Sequence, residues 1–230
     1  MAPTARTPLH AWHAAHGARF ADRDGWQVPV AYAGAGDESA ARTGLAVADI
    51  SAFATISLLG PGVGTAAHHL LGAGRATRPC TAAPLHVGGP GLACRLTDDH
   101  LLLLPSATTA TPLLDALTHL HQDRPLIQTD VTSAYAGFWL VGPHTDALLR
   151  RLTPLDVASP ALSLGACAET SLAGVHALLV RSPELSVPSL RIYTSWDLGE
   201  YVWESLLDPG RALGTRPLGL DGLAALRALG

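Results

Sequence analysis

Lysine and asparagine are absent from this sequence, and all 15 basic residues are arginine. Such a bias reflects the coding of a GC-rich genome and carries no mechanism. Charge is scarce as well, at 15% of 230 residues with a formal net charge of −4. No basic cluster interrupts that scarcity, so the chain lacks the electrostatic footprint that binding nucleic acid requires. The three cysteines, Cys80, Cys94 and Cys167, form no C-x-x-C spacing, and an odd count without a leader-like segment predicts a reduced, cytoplasmic protein. No apolar run approaches the roughly 18 residues of a membrane helix. The opening MAPTARTPLHAWHAAHG has no apolar signal core, so neither membrane nor export is expected.

Catalytic signatures are equally sparse. Gly60-Pro61-Gly62-Val63-Gly64 and Gly88-Gly89-Pro90-Gly91 match neither a Walker A loop nor a dinucleotide fingerprint, and no serine sits in a G-x-S-x-G elbow. Asp98-Asp99 reads as a hairpin turn. His68-His69 and His119-x-His121 lack carboxylate or cysteine partners at ligand spacing, which favours structural roles and no metal. His10, His13 and His16 recur at every third position and read as partly exposed helix histidines.

What is present is a core. Hydrophobic residues make up 48% of the chain, enough for one large domain or two small ones. The organising stretch is residues 37–61. A polar, Ala-rich helix from Asp37 ends at Gly44, Asp49-Ile50-Ser51 follows, Ala54–Leu59 suits a buried strand, and Gly60-Pro61 stops it. A helix containing Ala66, Ala67, Leu70 and Leu71 comes next. The pattern returns at Asp130-Val131-Thr132-Ser133, with strand Phe138–Val141, then Gly142-Pro143, then a helix with Ala147, Leu148, Leu149 and Leu152. Two copies of this length predict an internal duplication into two α+β halves. The expected division is residues 1–48, 49–129 and 130–230.

The remaining elements fill that frame. Thr7 is a candidate cap, with Pro8 in the first turn of a short helix that Gly17 ends. Strands are expected over Ala83–Val87, Gly91–Leu96 and His100–Leu104, followed by a helix over Leu113–Leu120. The order repeats with strands Val175–Val180 and Leu190–Thr194, a turn at Ser182–Ser189 and a helix over Leu198–Leu207. Leu218, Leu220, Leu223, Leu226 and Leu229 suit a final helix with an inward apolar side. Strands grouped with helices on one side give an α+β class.

Several segments resemble one family. "TPLHAWHAAHGARFADRDGWQVPVAY" is similar to the opening of aminomethyltransferase, the glycine-cleavage T-protein, with its T-P-L, H-x-x-x-G-A-R and G-W-x-M-P-x-x-Y blocks. "ESAARTGLAVADIS", "FWLVGPHTDALLRRL" and "RPLGLDGLAALRALG" resemble that family's later blocks, so the likeness spans nearly the whole chain. It implies two similar, interleaved halves, a tetrahydrofolate ligand and a role in one-carbon metabolism. The family continues into a C-terminal barrel domain, and this chain stops at Gly230, where that domain would begin. A surface left uncovered there is expected to be apolar and to serve as an interface, with itself or with a protein partner. "TDVTSAYAGFWLVGPHTDALLRRLTPLDV" and "CAETSLAGVHALLVR" also resemble the γ subunit of heterotetrameric sarcosine oxidase, a short, barrel-less relative that binds no folate of its own.

The resemblance also exposes departures. The family's catalytic aspartate follows Gly-Gly, but here Gly88-Gly89 is followed by Pro90-Gly91-Leu92, with no carboxylate until Asp98. The folate-binding glutamate of its G-Y-E-[IL] strand falls on Arg191, an arginine falls on Leu223, and an asparagine falls on Pro105. A methionine falls on Phe53, and the next arginine is kept as Arg227. A pterin is held by a carboxylate that accepts its N–H bonds, a role arginine cannot fill. No residue is assigned as catalytic, and the candidate cofactor-binding residues are Phe53, Arg191 and Arg227. The reading is a family member with a degenerate folate pocket working beside a partner. Its alternative is tetrahydrofolate-dependent aminomethyl or methyl transfer, with Arg191 and Arg227 on the folate glutamate tail. An unrelated small-ligand binder is the third possibility.

Overall fold

The computed structural model describes residues 4–33, 37–72, 78–118, 124–157, 162–181 and 184–228. His119, His121 and Leu229 lie outside them, as do parts of the expected Leu113–Leu120 helix and Ser182–Ser189 turn.

The N-terminal segment builds a small sheet, ordered β1 (Ala5–Arg6), β3 (Trp26–Tyr32), β2 (Ala18–Arg23), with helix α1 (His10–Ala15) between its first two strands in sequence. Asp24 and Gly25 both take positive φ, at 51° and 83°, as a two-residue I′ hairpin turn requires. Gly17 also turns left-handed past α1. Thr7 does not cap that helix with its hydroxyl; its carbonyl instead accepts the His10 N–H at 3.1 Å.

The rest of the chain repeats one motif twice. The first copy runs β4 (Leu45–Asp49), β5 (Ile56–Leu59), α3 (Val63–Leu71), β6 (Thr81–Pro84), β7 (Gly91–Thr97), β8 (His100–Pro105) and α4 (Thr111–Thr118), preceded by α2 (Asp37–Thr43). The second runs β9 (Ile127–Asp130), β10 (Tyr135–Val141), α5 (Thr145–Leu152), β11 (Cys167–Leu172), β12 (Val175–Val180), β13 (Ser189–Ser195) and α6 (Gly199–Gly210). β14 (Thr215–Leu218) and α7 (Leu220–Ala228) close the chain. One sheet is ordered β6-β7-β8-β5-β9 and the other β11-β12-β13-β10-β4-β14. Each copy therefore lends its first strand to the other copy's sheet: β9 pairs antiparallel with β5, and β4 pairs antiparallel with β10. The fold is α+β with two similar, interleaved halves, and none of its sheets among the described residues closes into a barrel.

The repeat extends to single residues. Gly60 and Gly142 end β5 and β10 with φ of 123° and 134°. A Cβ on Gly60 would lie 2.8 Å from the Pro125 carbonyl oxygen, and one on Gly142 would strike that of Gly44. Only glycine fits these close approaches, which lets the peptide carbonyls of Pro125 and Gly44 accept the N–H groups of Gly62 and His144.

Strand alternation then sorts the core into layers. Phe138 and Leu140 of β10 face α1, α5 and α6, whereas Trp139 and Val141 face the opposing sheet. Leu101 and Leu103 of β8 face α3 and α4, whereas Leu102 and Leu104 face inward. The result is helices, sheet, sheet, helices, with one apolar layer between the sheets. Of the C-terminal leucines, Leu218, Leu223 and Leu226 are buried in that inner layer, so this end packs inward. The large apolar residues that are exposed among the described ones are Leu59, Ile127, Leu164 and Tyr201. Leu59 and Ile127 oppose each other across β5 and β9. No helix among the described residues is long and apolar enough to cross a membrane.

Candidate functional site

Arg191 lies midway along β13, opposite Trp139 of β10, and the strand period turns both into the space between the sheets. It is fully buried, with its guanidinium carbon 4.1 Å from the centroid of the Trp139 ring. The charge is not left alone there. Arg191 Nη2 donates to Glu184 Oε1 at 2.5 Å and to the Ser106 hydroxyl, and Nη1 donates to the Leu104 carbonyl at 3.1 Å and the Tyr193 hydroxyl at 3.4 Å. Ser106 in turn donates to Glu184 Oε1 at 2.8 Å. Burial disfavours the Arg191 cation, but Glu184 and Tyr193 more than offset that and hold its pKa above the ordinary value. Burial pushes the Tyr193 phenol up to about 12, although Arg191 opposes it. A buried arginine without a counter-charge would be strongly destabilising, and the ion pair with Glu184 offsets that penalty.

Phe53 and Arg227 meet at a different spot. They line a cavity of about 240 Å³ together with Asp24, Ser106, Asp221 and Leu223. Arg227 Nη1 donates to the Ser106 carbonyl at 3.2 Å, and burial lowers its pKa, with Glu184 opposing and Arg191 adding to the effect. Arg191 does not line this cavity and connects to it only through Ser106, whose hydroxyl it holds. The structure thus brings Phe53 and Arg227 together and joins Arg191 to them indirectly. Leu223 is packed in the inner core, Pro105 ends β8, and Asp98 is exposed in the turn between β7 and β8. Chemically, the cavity offers the half-buried Arg227 guanidinium and the Phe53 ring, with Asp24 and the paired Arg23 and Asp221 also on its wall.

A third cluster was not anticipated. His13 is completely buried rather than partly exposed, because α1 packs its inner side against β2, β3 and Trp203 of α6. Its Nε2 lies 3.0 Å from Asp49 Oδ2, and the Tyr32 hydroxyl lies 2.7 Å from its Nδ1. For a neutral ring this network assigns the proton to Nε2, donating to the carboxylate, with Nδ1 accepting from tyrosine. Asp49 Oδ1 accepts the N–H and hydroxyl of Ser51 at 2.9 and 2.6 Å. Burial raises the Asp49 pKa, but His13 and Ser51 outweigh it and the carboxyl settles below its usual 3.8. The sequence signal was available: His13 precedes Gly17 in the quoted H-x-x-x-G block, and Asp49 opens the repeat. His10 and His16 remain at or near the surface. His10 stacks on Phe20 and His16 on Trp12. Among the described residues, no three His, Cys, Asp or Glu side chains group closely enough to hold a metal ion.

The GCVT N-terminal domain family matches residues 9–228. The aminomethyltransferase of Streptomyces avermitilis is 30% identical over 234 residues, covering 96% of this chain and 61% of that protein. This chain therefore spans about three fifths of the length of such relatives. The aminomethyltransferase T structure from the glycine cleavage system of Bartonella henselae superposes with a TM-score of 0.75 at 20% identity, covering 96% of this chain and 61% of that one. A chain of the heterotetrameric sarcosine oxidase from Corynebacterium sp. U-96 superposes at 0.65 with 21% identity, covering 92% of this chain and 97% of that one.

Proposed function

Because the chain belongs to the GCVT N-terminal domain family, we propose that it is a one-carbon-metabolism member whose folate pocket is degenerate, a non-catalytic or altered module acting beside a partner subunit. The observation that carries this reading is Arg191. The resemblance puts an acceptor for the pterin N–H groups at that position, and a guanidinium has five donors and no acceptor. Its charge is already spent on Glu184, its face lies on Trp139, and Nη1 donates to Leu104 and Tyr193, while Nε has no hydrogen-bond partner among the described residues. A pterin entering this layer would have to displace a buried ion pair, and separating such a pair costs about 3–5 kcal/mol.

The partner reading draws on two further observations. The neighbouring oxidase chain is nearly matched end to end and belongs to a heterotetramer. On this chain, Leu59 and Ile127 form an exposed apolar pair, 41% and 64% accessible, at the free edge of a sheet. We place the protein in the cytoplasm, consistent with its three free cysteines. A three-part division belongs to the same proposal, with an N-terminal unit before two duplicated halves; because boundaries at residues 48/49 and 129/130 would cut β4 and β9, we draw them just ahead of those strands.

One observation favours the enzymatic alternative. Phe53 and Arg227 share a cavity, and Arg227 there could bind a folate glutamate tail while tetrahydrofolate supplied the one-carbon acceptor. Turnover separates the two readings. Given tetrahydrofolate and an aminomethyl donor, the protein is expected to release no ammonia above a protein-free control; enzymatic release would establish the alternative.

A further inference from the structure

The two halves are alike at Asp49 and Asp130, but only one of these carboxylates is fully used. Asp130 Oδ1 accepts the Thr132 N–H and hydroxyl at 2.9 and 2.6 Å, as Asp49 Oδ1 accepts those of Ser51. The Oδ2 atoms differ. That of Asp49 takes the His13 ring, whereas that of Asp130 takes no hydrogen bond from any described residue.

The surroundings differ in the same sense. His13 arrives on the segment from Pro8 onward, which lies over Ala136 and the start of α6: Pro8 and Ala136 crowd Gly199, and His13 meets Trp203 edge-on at 5.3 Å. The N-terminal segment occurs once, so it can fill only one of two equivalent positions. In the other half the corresponding residues are Ala54 and the start of α4, Thr111 and Leu114. There the structure has a cavity of about 520 Å³, bounded also by Asp130, Asp24 and Trp26. No arginine or histidine lines it, and Asp24 Oδ2 already accepts the Thr108 hydroxyl at 2.5 Å. Its size falls within the range of small-molecule sites, about 300–1,000 Å³.

We propose that this cavity binds a small organic cation bearing N–H donors, an imidazolium or primary ammonium compound, which donates to Asp130 Oδ2 as His13 donates to Asp49. The buried half of the molecule supplies the template: an imidazole N–H on the carboxylate, carried by a segment whose Pro8 sits, with Ala136, against the first turn of a helix. Asp24 adds a second negative charge, and Trp26 offers a ring face that attracts cations. The site adjoins the cavity of Phe53 and Arg227, sharing Asp24 and Thr108 with it, but its centre is Asp130, which that cavity does not include.

Histamine is the probe, because it carries both donor types in one small molecule. Calorimetric titration of the full chain at low salt is expected to give saturable one-site binding. Asp130→Asn keeps an oxygen for Thr132 but removes the charge, and is expected to weaken binding by at least about tenfold, as loss of a charge-assisted hydrogen bond does. Ser133→Trp, an exposed position on the rim, should block the cavity and abolish binding without disturbing the fold, and it carries the test if the aspartate variant does not fold. Asp98→Asn, on the exposed β7–β8 turn, should leave binding unchanged. Absence of saturable binding to the wild-type protein overturns the proposal. So does equal weakening by Asp98→Asn and Asp130→Asn, which would mean attraction to net negative charge alone, or retention of full affinity by Ser133→Trp.

Discussion

Asp49 and Asp130 stand at the same place in two copies of one motif, and each fixes a hydroxyl that crosses to the other copy. Ser51, held by Asp49, accepts the Gly137 N–H at 3.1 Å; Thr132, held by Asp130, accepts the Thr55 N–H at 3.0 Å. Beside each, a backbone bond crosses the same boundary, Ile50 N–H to Gly137 and Val131 N–H to Thr55. The exchanged strands are thus latched reciprocally where they enter β5 and β10. Ser51→Ala and Thr132→Ala each strand a buried N–H, and each is expected to cost about 1–3 kcal/mol in urea unfolding. A loss within experimental error for either would mean that the latch is ornamental.

Glu184 neutralises Arg191 inside the protein. Glu184→Gln keeps the shape but leaves a guanidinium buried without its counter-charge, and is expected to destabilise the fold by about 3 kcal/mol. The double variant Arg191→Met, Glu184→Gln removes both buried charges and should cost clearly less. Denaturant midpoints of the two variants check the order; the reverse order would mean the pair is not the element that tolerates arginine in this layer.

The sequence carried the frame of this fold in its punctuation. Gly60-Pro61 and Gly142-Pro143, with the aspartates before them, mark positions where only glycine fits and where each repeat turns into a helix. The exchange was harder to read, because nothing in Leu45–Asp49 or Ile127–Asp130 says which sheet will accept it. β4 is wholly buried whereas β9 is wholly exposed and polar apart from Ile127, so no common pattern advertised them as equivalent strands. β6 begins two residues before the expected Ala83, and β11, with its alternating Glu169 and Ser171, was missed. Arg191 was singled out by the family likeness as a pocket residue, but its partner was not: Glu184 lies in an irregular segment seven residues earlier, a relation only the fold creates. His13 was misjudged because spacing alone cannot distinguish a surface histidine from one that a distant aspartate has drawn inside.

Asp49 gives the stability a definite pH dependence. A carboxyl whose folded pKa lies below its unfolded value contributes stability that is present above pH 3.8 and is lost as pH falls through the lowered folded value. Asp49→Asn should therefore be less stable than the wild type at neutral pH by about 1–3 kcal/mol, the worth of hydrogen bonds to a charged group. That gap should shrink as acid titrates the wild-type carboxyl. Unfolding curves for both proteins, at neutral pH and near pH 3, measure it. A gap that stays constant or widens in acid would assign Asp49 no charged role.

Association is expected to depend on the exposed edge. Ile127→Glu should leave the stability of the isolated chain nearly unchanged, since the side chain is 64% accessible. In light scattering with the products of neighbouring genes, the wild type should form a larger species and the variant should not. A monomer in every mixture would remove the partner from the account.

The central claim is that the inner layer, held by Arg191 and Glu184 on Trp139, no longer serves tetrahydrofolate. Calorimetric titration of tetrahydrofolate into the purified protein tests it most directly. The account predicts a dissociation constant weaker than about 100 μM, under about 5.5 kcal/mol of binding free energy. Saturable binding at micromolar concentration would contradict it and return the protein to the folate-dependent transferases.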